Sequence, residues 1–357
     1  MHVWTSQSLR VLRQRLVPWF RQHGRDLPWR QTHDPYRIWV SEIMLQQTQV
    51  ATVIPYYERF LKSFPDVAAL AAAPEEVVLR HWEGLGYYRR ARHLHAAAKV
   101  IVAEHEGVFP RAADAVRSLP GIGRYTAGAI LSFAYDDREP IVEANTLRLY
   151  SRLLAYEGNV TTRAAHDALW KFANDVLPAQ GSGELNQALM ELGSQVCTPR
   201  SPACGDCPLA HLCPTRALGA QERIPSSTKK MKYEDVVELA AVVRRGDKIL
   251  VRLCGPDERW AGLWDFPRFA SRETDDHASQ LREGVRSLTA VEIEPGEELT
   301  VIKHGVTRFR ITLRCHTAVA KKAPRRLAEG VRWVTIEELA ALPLSVTGRK
   351  IAGLVRG

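Results

Sequence analysis

Apolar positions recur at helical spacing through the first 218 residues. Trp39, Ile43, Val50 and Ile54 form one series, and Leu94, Ala98 and Ile101 another, as expected where one face of a helix is buried. The opening "MHVWTSQSLRVLRQRLVPWF" reads as an amphipathic helix and lacks the apolar centre of a signal peptide. Pro35, Pro65, Pro74, Gly84, Gly86, Pro110 and Pro120 punctuate the run into separate helices. The pattern stops at "GAQERIPSSTKKMKYED", a polar, basic stretch over residues 219–235 that reads as a linker. Beyond it the texture changes. "VVELAAVVRRGDKILVRL" holds two strand-like runs around Arg244–Asp247, a hairpin signal. "FRITLRCHTAVA" alternates in the same manner, and helix-like runs interrupt near 277–289 and 335–342. The expected organisation is an all-helical domain over 1–218, a linker over 219–235 and a smaller α+β domain over 236–357.

The chain's 357 residues are enough for two domains that each bury a core. A hydrophobic share of 45% and a charged share of 25% are ordinary for a soluble globular protein. The formal net charge of +9 changes the picture, because it suits a polyanionic partner, nucleic acid first. No apolar run approaches the roughly 20 residues of a membrane span. These features place the protein in the cytoplasm, associated with the nucleoid, where thiols stay reduced.

That compartment matters for the cysteines. "VCTPRSPACGDCPLAHLCP" sets Cys197, Cys204, Cys207 and Cys213 with gaps of six, two and five residues. A disulfide framework does not suit a large reduced protein. Zinc sites usually come as two short Cys/His pairs, and only Cys204–Cys207 is such a pair. Four thiolates in one loop equally suit an iron–sulfur cluster, so spacing alone leaves zinc and cluster level. Cys254 and Cys315 lie in strand-like runs and read as small buried hydrophobes. The 6–2–5 spacing, however, resembles the [4Fe–4S] loop of the endonuclease III/MutY group of DNA glycosylases.

Other motifs agree. In "SLPGIGRYTAGAILSFAY" Gly121 and Gly123 stand just before a helical run, and such a turn aims backbone N–H groups at a phosphate. It resembles the helix-hairpin-helix of the same group, which grips the DNA backbone without reading bases. Some twenty residues on lies "PIVEANTLRLYSRLL". Read alone, Glu143 is a carboxylate at a helix start, where it meets unpaired N–H groups. The resemblance makes it the catalytic carboxylate and has Asn145 help place sugar and phosphate. The family residue at this position is usually Asp, so the expectation is that the local backbone accommodates the longer arm. Bifunctional relatives carry Lys where Tyr125 stands and use its amine for a Schiff base. Tyr125 therefore implies a monofunctional enzyme; its plainer role is packing on the hairpin.

"LPWRQTHDPYRIWVSEIMLQQTQVATVIPYYERF" resembles the MutY motif over its whole length. Glu42, Leu45, Gln46 and Gln49 fall at i, i+3, i+4 and i+7 and so are expected to share a helix face, with Trp39, Ile43 and Val50 on the buried side. A lone carboxylate beside apolar neighbours has a raised pKa, which suits a general acid for a purine leaving group; the plainer reading pairs Glu42 with Arg37. By resemblance Gln46 and Gln47 enter the base stack near the orphaned partner. Arg30, Leu45, Thr48 and Leu85 also contact DNA or base, Tyr87 of "WEGLGYYRRARHLHAAA" wedges into the duplex, and Gln187 of "LNQALMELGSQVC" bonds adenine. Aromatics within a basic run suit stacking and phosphate contact in any case.

"ERWAGLWDFPRF" and "WVTIEELAALPLSVTGRKIA" resemble the Nudix-like C-terminal domain of MutY-type enzymes. "SQLREGVRSLTAVEI" offers Glu283 but not the run of acids that holds Mg²⁺ in Nudix hydrolases, so a role in lesion recognition is expected instead of pyrophosphatase activity. In "VIKHGVTRFRITL", His304 precedes Val306, Thr307 and Arg308, which stand where well-studied bacterial relatives carry a Phe-Ser-His loop. Thr307 and Arg308 are the expected lesion contacts. Altogether the resemblance implies a MutY-type adenine DNA glycosylase: a helix-hairpin-helix domain with a [4Fe–4S] cluster, then a Nudix-like domain. Its partner is double-stranded DNA with adenine opposite 8-oxoguanine or guanine, and the chain is expected to act as a monomer, without a membrane. Rival readings are a glycosylase of the same fold with another base specificity, and a DNA-binding homologue that lost turnover.

Overall fold

The computed structural model describes residues 2–226, 232–272 and 276–355. The chain separates into two compact units, Met1–Ala72 with Ala96–Lys229, and Ala73–His95 with Lys230–Gly357. No helix among the described residues is long and apolar enough to cross a membrane.

The first unit is helical. Its opening helix, Ser6–His23, is capped by Thr5 and Ser8 and buries Leu9, Leu12 and Leu16, the i, i+3, i+7 stripe of a half-buried helix. That stripe packs with Leu149, Leu153, Leu169, Phe172 and Leu189 in one core. Helices Arg124–Tyr135, Ala144–Leu153 and Ser182–Gln195 border, with Pro35–Leu45, the cleft described below. They approach closely because two positions lack a side chain. A Cβ on Gly183 would lie 2.1 Å from the Ser132 carbonyl, and one on Gly193 would lie 3.0 Å from that of Asn145.

Two expectations need correction here. The helix Pro35–Leu45 stops at Leu45, and Gln46 is its C-cap. Gln47 takes a left-handed φ of 56°, and the next helix starts at Val50. Gln46 and Gln49 therefore do not share the face of Glu42, and Val50 is only half-buried. The left-handed residue at Gln47 breaks the helical backbone, and the β-branched Thr48 that follows has little helix preference of its own. The segment 219–235 is likewise not all linker. Ala220 and Ile224 are buried, Arg152 donates to the carbonyls of Gln221 and Ile224 at 2.9 Å each, and the first strand of the second unit begins at Glu234. Residues 227–231 of that stretch lie outside the described residues.

The second unit is built on one seven-stranded sheet. Its strands are β1 (Glu234–Arg245), β2 (Lys248–Leu253), β3 (Trp264–Asp265), β4 (Arg268–Ala270), β5 (Glu292–Val306), β6 (Phe309–Lys322) and β7 (Val331–Val334). The order is β3-β2-β1-β6-β5, with β4 on β1 and β7 on β2. The expected hairpin is β1–β2, with Arg244 opposite Ile249 and Gly246 at φ 62° in the turn. β1 runs parallel to β6 and β5 antiparallel to it. Helices His277–Thr289 and Ile336–Ala341 match the two helix-like runs, and a further helix, Val346–Val355, follows. Each sheet face has its own apolar cluster: Val242, Phe266, Leu313 and Ile351 on one side, Leu239, Leu250, Leu281 and Val285 on the other. Cys254 and Cys315 are buried in this unit. The Glu283 carboxylate is engaged by Arg272.

Candidate active site

A cleft of about 480 Å³ opens in the first unit, within the usual size range of a small-molecule site. It gathers side chains that are far apart in sequence: Arg30, Glu42, Tyr125, Glu143, Asn145 and Gln187. Leu45, Gln46, Gln47 and Thr48 also line it, so the glutamines reach the cleft through the turn and not through a helix face.

Glu42 sits on the third turn of the helix Pro35–Leu45 and is 3% exposed. Arg37, its plainer partner in sequence, lies instead at 3.5 Å from Asp34. Burial pushes the Glu42 carboxyl up to about 7; the Tyr125 hydrogen bond and Arg30 oppose that, and Glu143 adds to it. Tyr125 Oη donates to Glu42 Oε2 at 2.6 Å. Burial, then the charges of Glu42 and Glu143, push the Tyr125 phenol well above its ordinary value, so it remains a donor. An acid that carries its proton near neutrality is what protonation of a leaving base requires.

Glu143 performs the plain structural task and stands in the cleft as well. It is the N-cap of the helix Ala144–Leu153, with Oε1 accepting from the backbone N–H groups of Asn145 and Thr146 at 2.8 and 2.9 Å. Oε2 accepts from Asn145 Nδ2 at 3.4 Å. The longer arm is taken up by folding back over its own helix start. One residue thus caps the helix and brings its carboxylate to the cleft. The residues before it, Ile141 and Val142, are buried but form no strand.

Arg30 is held at the cleft by Glu191, whose Oε2 accepts from Arg30 Nη2 at 2.8 Å. Arg25 bonds the same carboxylate at 2.8 and 2.9 Å. Burial alone would raise the Glu191 carboxyl, but the two guanidiniums outweigh it and hold it at about 2. Sequence reading missed Glu191; a buried acid between two arginines leaves no local signature. It also missed Arg148 and Arg152. Arg148 Nη2 donates to Asn145 Oδ1 at 3.0 Å, and its Nε donates to the Cys197 carbonyl at 2.8 Å. Arg152 Nη1 donates to Cys197 Sγ at 3.3 Å. One helix thus starts at Glu143 and ends on the cysteine loop. The arginines at i and i+4 on it were the available signal.

Cys197, Cys204, Cys207 and Cys213 line one small apolar cavity of about 30 Å³. All four are free thiols. Burial pushes Cys207 up to about 12 and raises Cys213, and the neighbouring sulfurs add to both. Thiols in that setting give up their protons to a metal cation and not to water, so the donor set fits an iron–sulfur group. Among the described residues, no three His, Cys, Asp or Glu side chains converge as ligands of a single ion.

The hairpin glycines stand between helices Ala113–Ser118 and Arg124–Tyr135, with Gly121 at φ 77° and Gly123 as the N-cap. A Cβ at Gly123 would meet nothing within 4 Å, so its backbone faces open space. In the second unit, Leu85 is 6% exposed and Tyr87 is 49% exposed; the leucine, expected to touch DNA, is packed inside. Thr307 and Arg308 form the two-residue tip between β5 and β6, Thr307 at φ 53° and both exposed. The tip is thus a hairpin turn and not part of a plain strand. Arg308 Nε lies 3.4 Å from Glu234 Oε2. His304, on β5, accepts from Arg268 Nη2 at 3.3 Å.

Comparison with known proteins gives three family matches: an HhH-GPD superfamily base excision DNA repair protein over residues 40–175, an iron–sulfur binding domain of endonuclease III over 197–213, and a NUDIX domain over 239–353. The mouse adenine DNA glycosylase is 32% identical over 96% of this chain and 77% of its own length. The human one is 39% identical over 79% of this chain, which spans about half (52%) of that relative. An adenine DNA glycosylase from Buchnera aphidicola subsp. Schizaphis graminum is 34% identical over 74% of this chain and 77% of its own. Among solved structures, a thermostable thymine-DNA glycosylase is 28% identical with a TM-score of 0.54, covering 59% of this chain and 98% of its own. A trapped endonuclease III–DNA covalent intermediate, 22% identical at TM-score 0.52 over 61% of this chain and 99% of its own, shares the fold.

Proposed function

Because the chain belongs to the adenine DNA glycosylase family and carries its iron–sulfur domain with a [4Fe–4S] cluster, we propose that it excises adenine paired with 8-oxoguanine, or with guanine, by hydrolysis of the N-glycosidic bond. The observation that carries this reading is the pair of unlike carboxylates in one cleft: Glu42, buried and raised to about 7, and Glu143, fixed on a helix N-terminus. Burial of the one and the backbone N–H donors that hold the other give the two carboxyl groups different roles.

Extruding adenine from the duplex costs a few kcal/mol, offset by wedge and cleft contacts. Glu42 protonates the adenine ring and Tyr125 holds it in place. Breaking the bond releases adenine and leaves positive charge on the sugar, which Glu143 stabilises or captures from the other face, as the second carboxylate of a retaining glycosidase does, until water adds to the sugar and completes the hydrolysis. Asn145, held by Glu143 and Arg148, places the sugar and phosphate, and Gln187 bonds the base. Gly121 and Gly123 offer backbone N–H groups to a phosphate, Arg30 and the 45–48 turn meet the DNA, and Tyr87 is the wedge. Leu85, being buried, supports that loop from within. The chain acts as a monomer on nucleoid DNA in the cytoplasm.

Cys197, Cys204, Cys207 and Cys213 would hold the cluster, and Arg148 and Arg152 tie the 197–213 loop to the helix bearing Asn145. Purified protein is expected to be yellow-brown, with about four irons per chain. Colourless protein with one zinc contradicts the assignment. Tyr125 has no amine, so borohydride is expected to trap little covalent protein–DNA complex during turnover. Abundant trapping would assign an amine elsewhere in the cleft.

Lesion preference is tested at the β5–β6 tip. One discriminating hydrogen bond is worth about 1–3 kcal/mol. Thr307→Val/Arg308→Ala is therefore expected to cut the ratio of single-turnover rates, 8-oxoguanine over guanine, by roughly tenfold or more at fixed salt. An equal loss on both duplexes makes the tip a backbone clamp, and an unchanged ratio and rate removes it from the reading.

A further inference from the structure

The loop that presents Tyr87 is strained. Gly84, Gly86 and Tyr87 have φ of 102°, 72° and 48°. A tyrosine in the left-handed region persists only where its surroundings over-determine it, and here the surroundings can be named. Trp82 Nε1 donates to the Gly86 carbonyl at 3.2 Å, and Arg90 Nη2 donates to the carbonyls of Leu85 and Gly86 at 3.3 and 3.1 Å. The Arg90 guanidinium also stands 5.7 Å from the Tyr87 ring centre.

The base of the loop is held from much further along the chain. Glu83, which ends the helix Glu75–Trp82, accepts from Arg349 Nε at 2.6 Å on Oε1 and from Arg349 Nη2 at 2.8 Å on Oε2. Oε2 also accepts from the Leu344 N–H at 3.3 Å. Arg349 donates in addition to the Ala340 and Leu342 carbonyls at 3.2 and 2.6 Å, closing the end of the helix Ile336–Ala341. Tyr88 Oη, which accepts from the Gly84 N–H, donates to the Leu344 carbonyl at 3.4 Å. The Glu83 side chain is 9% exposed and that of Arg349 27%. A two-pronged, largely buried pair of this kind fixes geometry where an exposed one does not.

We infer that Glu83 and Arg349 are positioning residues for Tyr87: the last two helices of the Nudix-like unit set the geometry of the loop that wedges the duplex. The inference rests on the reading of Tyr87 as the wedge. It gives that unit a second task beside lesion contact, since whatever moves the segment 342–349 also moves the loop.

The test is a double-mutant cycle on the cluster-loaded protein. Single-turnover adenine excision opposite 8-oxoguanine is measured for the parent, Tyr87→Ala, Arg349→Gln and the double variant. Fluorescence of a 2-aminopurine beside the target adenine reports unstacking, and a thermal melt reports folding. Tyr87→Ala is expected to slow excision roughly tenfold through lost stacking. Arg349→Gln is expected to slow it by about threefold or more and to dim the fluorescence, yet to cost less than about twofold further in the Tyr87→Ala background. Arg349→Lys, which keeps the charge but not the fork, is expected to fall between. Should Arg349→Gln melt below the assay temperature, Glu83→Gln, which keeps an acceptor for the Leu344 N–H, takes its place in the cycle. Losses that multiply, or an unaltered Arg349→Gln rate beside a slow Tyr87→Ala, overturn the positioning and leave the wedge standing. A Tyr87→Ala rate equal to the parent's overturns the wedge, and the inference with it.

Discussion

Glu143→Gln is expected to lose on the order of 10³ in single-turnover rate, because it removes a fixed charge aimed at a charged transition state, while DNA binding stays within about twofold of the parent. The substitution is informative because Glu143 has two tasks. Its Oε1 caps the helix Ala144–Leu153 through the N–H groups of Asn145 and Thr146, and a glutamine keeps an oxygen to accept those bonds. Glu143→Ala removes charge and cap together and is expected to cost about 1 kcal/mol of stability besides. Glu143→Asp keeps the charge on a shorter arm and is expected to retain part of the rate. Single-turnover kinetics with a parallel thermal melt separate the tasks. A Glu143→Gln enzyme that cleaves as fast as the parent makes the carboxylate a helix cap and nothing more.

The second large effect lies in the pH profile. Glu42 is pushed up to about 7 by burial, with the Tyr125 hydrogen bond pulling the other way. An acid must carry its proton to act, so the rate is expected to be flat below about pH 7 and to fall up to tenfold per unit above it. Glu42→Gln cannot give up a proton and is expected to lose on the order of 10²–10⁴ in rate. Tyr125→Phe tests the sign. The phenol donates to Glu42 Oε2 and so favours the charged form. Without it the carboxyl holds its proton to higher pH, and the alkaline limb moves up. A limb that moves down, or a profile unchanged by Glu42→Gln, contradicts the assignment of Glu42 as the acid.

Division of the chain into a helical and a sheet-bearing part was legible in sequence because the two periods of burial, near 3.6 and 2, are local properties. The candidate residues that share the cleft, such as Glu42, Tyr125 and Glu143, stood out in sequence because each motif is short. What failed to show depends on partners far away in sequence. The helix over Pro35–Leu45 ends early at a turn through Gln46–Thr48 that lines the cleft, and apolar spacing cannot see a cleft. Glu191 acquires its meaning only from Arg25 and Arg30, some 160 residues earlier. The segment 73–95 reads as one more piece of the helical half, and the matched repair-protein region spans it. It nevertheless groups with the second unit, through contacts such as Glu83–Arg349, 266 residues apart. Arg148 and Arg152 are buried against the cysteine loop, by partners some 45 residues further on.

The most direct test of the account is the release of free adenine, under single turnover with enzyme in excess, from a duplex that pairs it with 8-oxoguanine. The account predicts complete release by the parent, slower release opposite guanine, no release opposite thymine on the same timescale, and next to none from the 8-oxoguanine duplex by Glu143→Gln. Tight binding of that duplex with no adenine released by the parent would contradict it, and would leave a DNA-binding homologue without turnover.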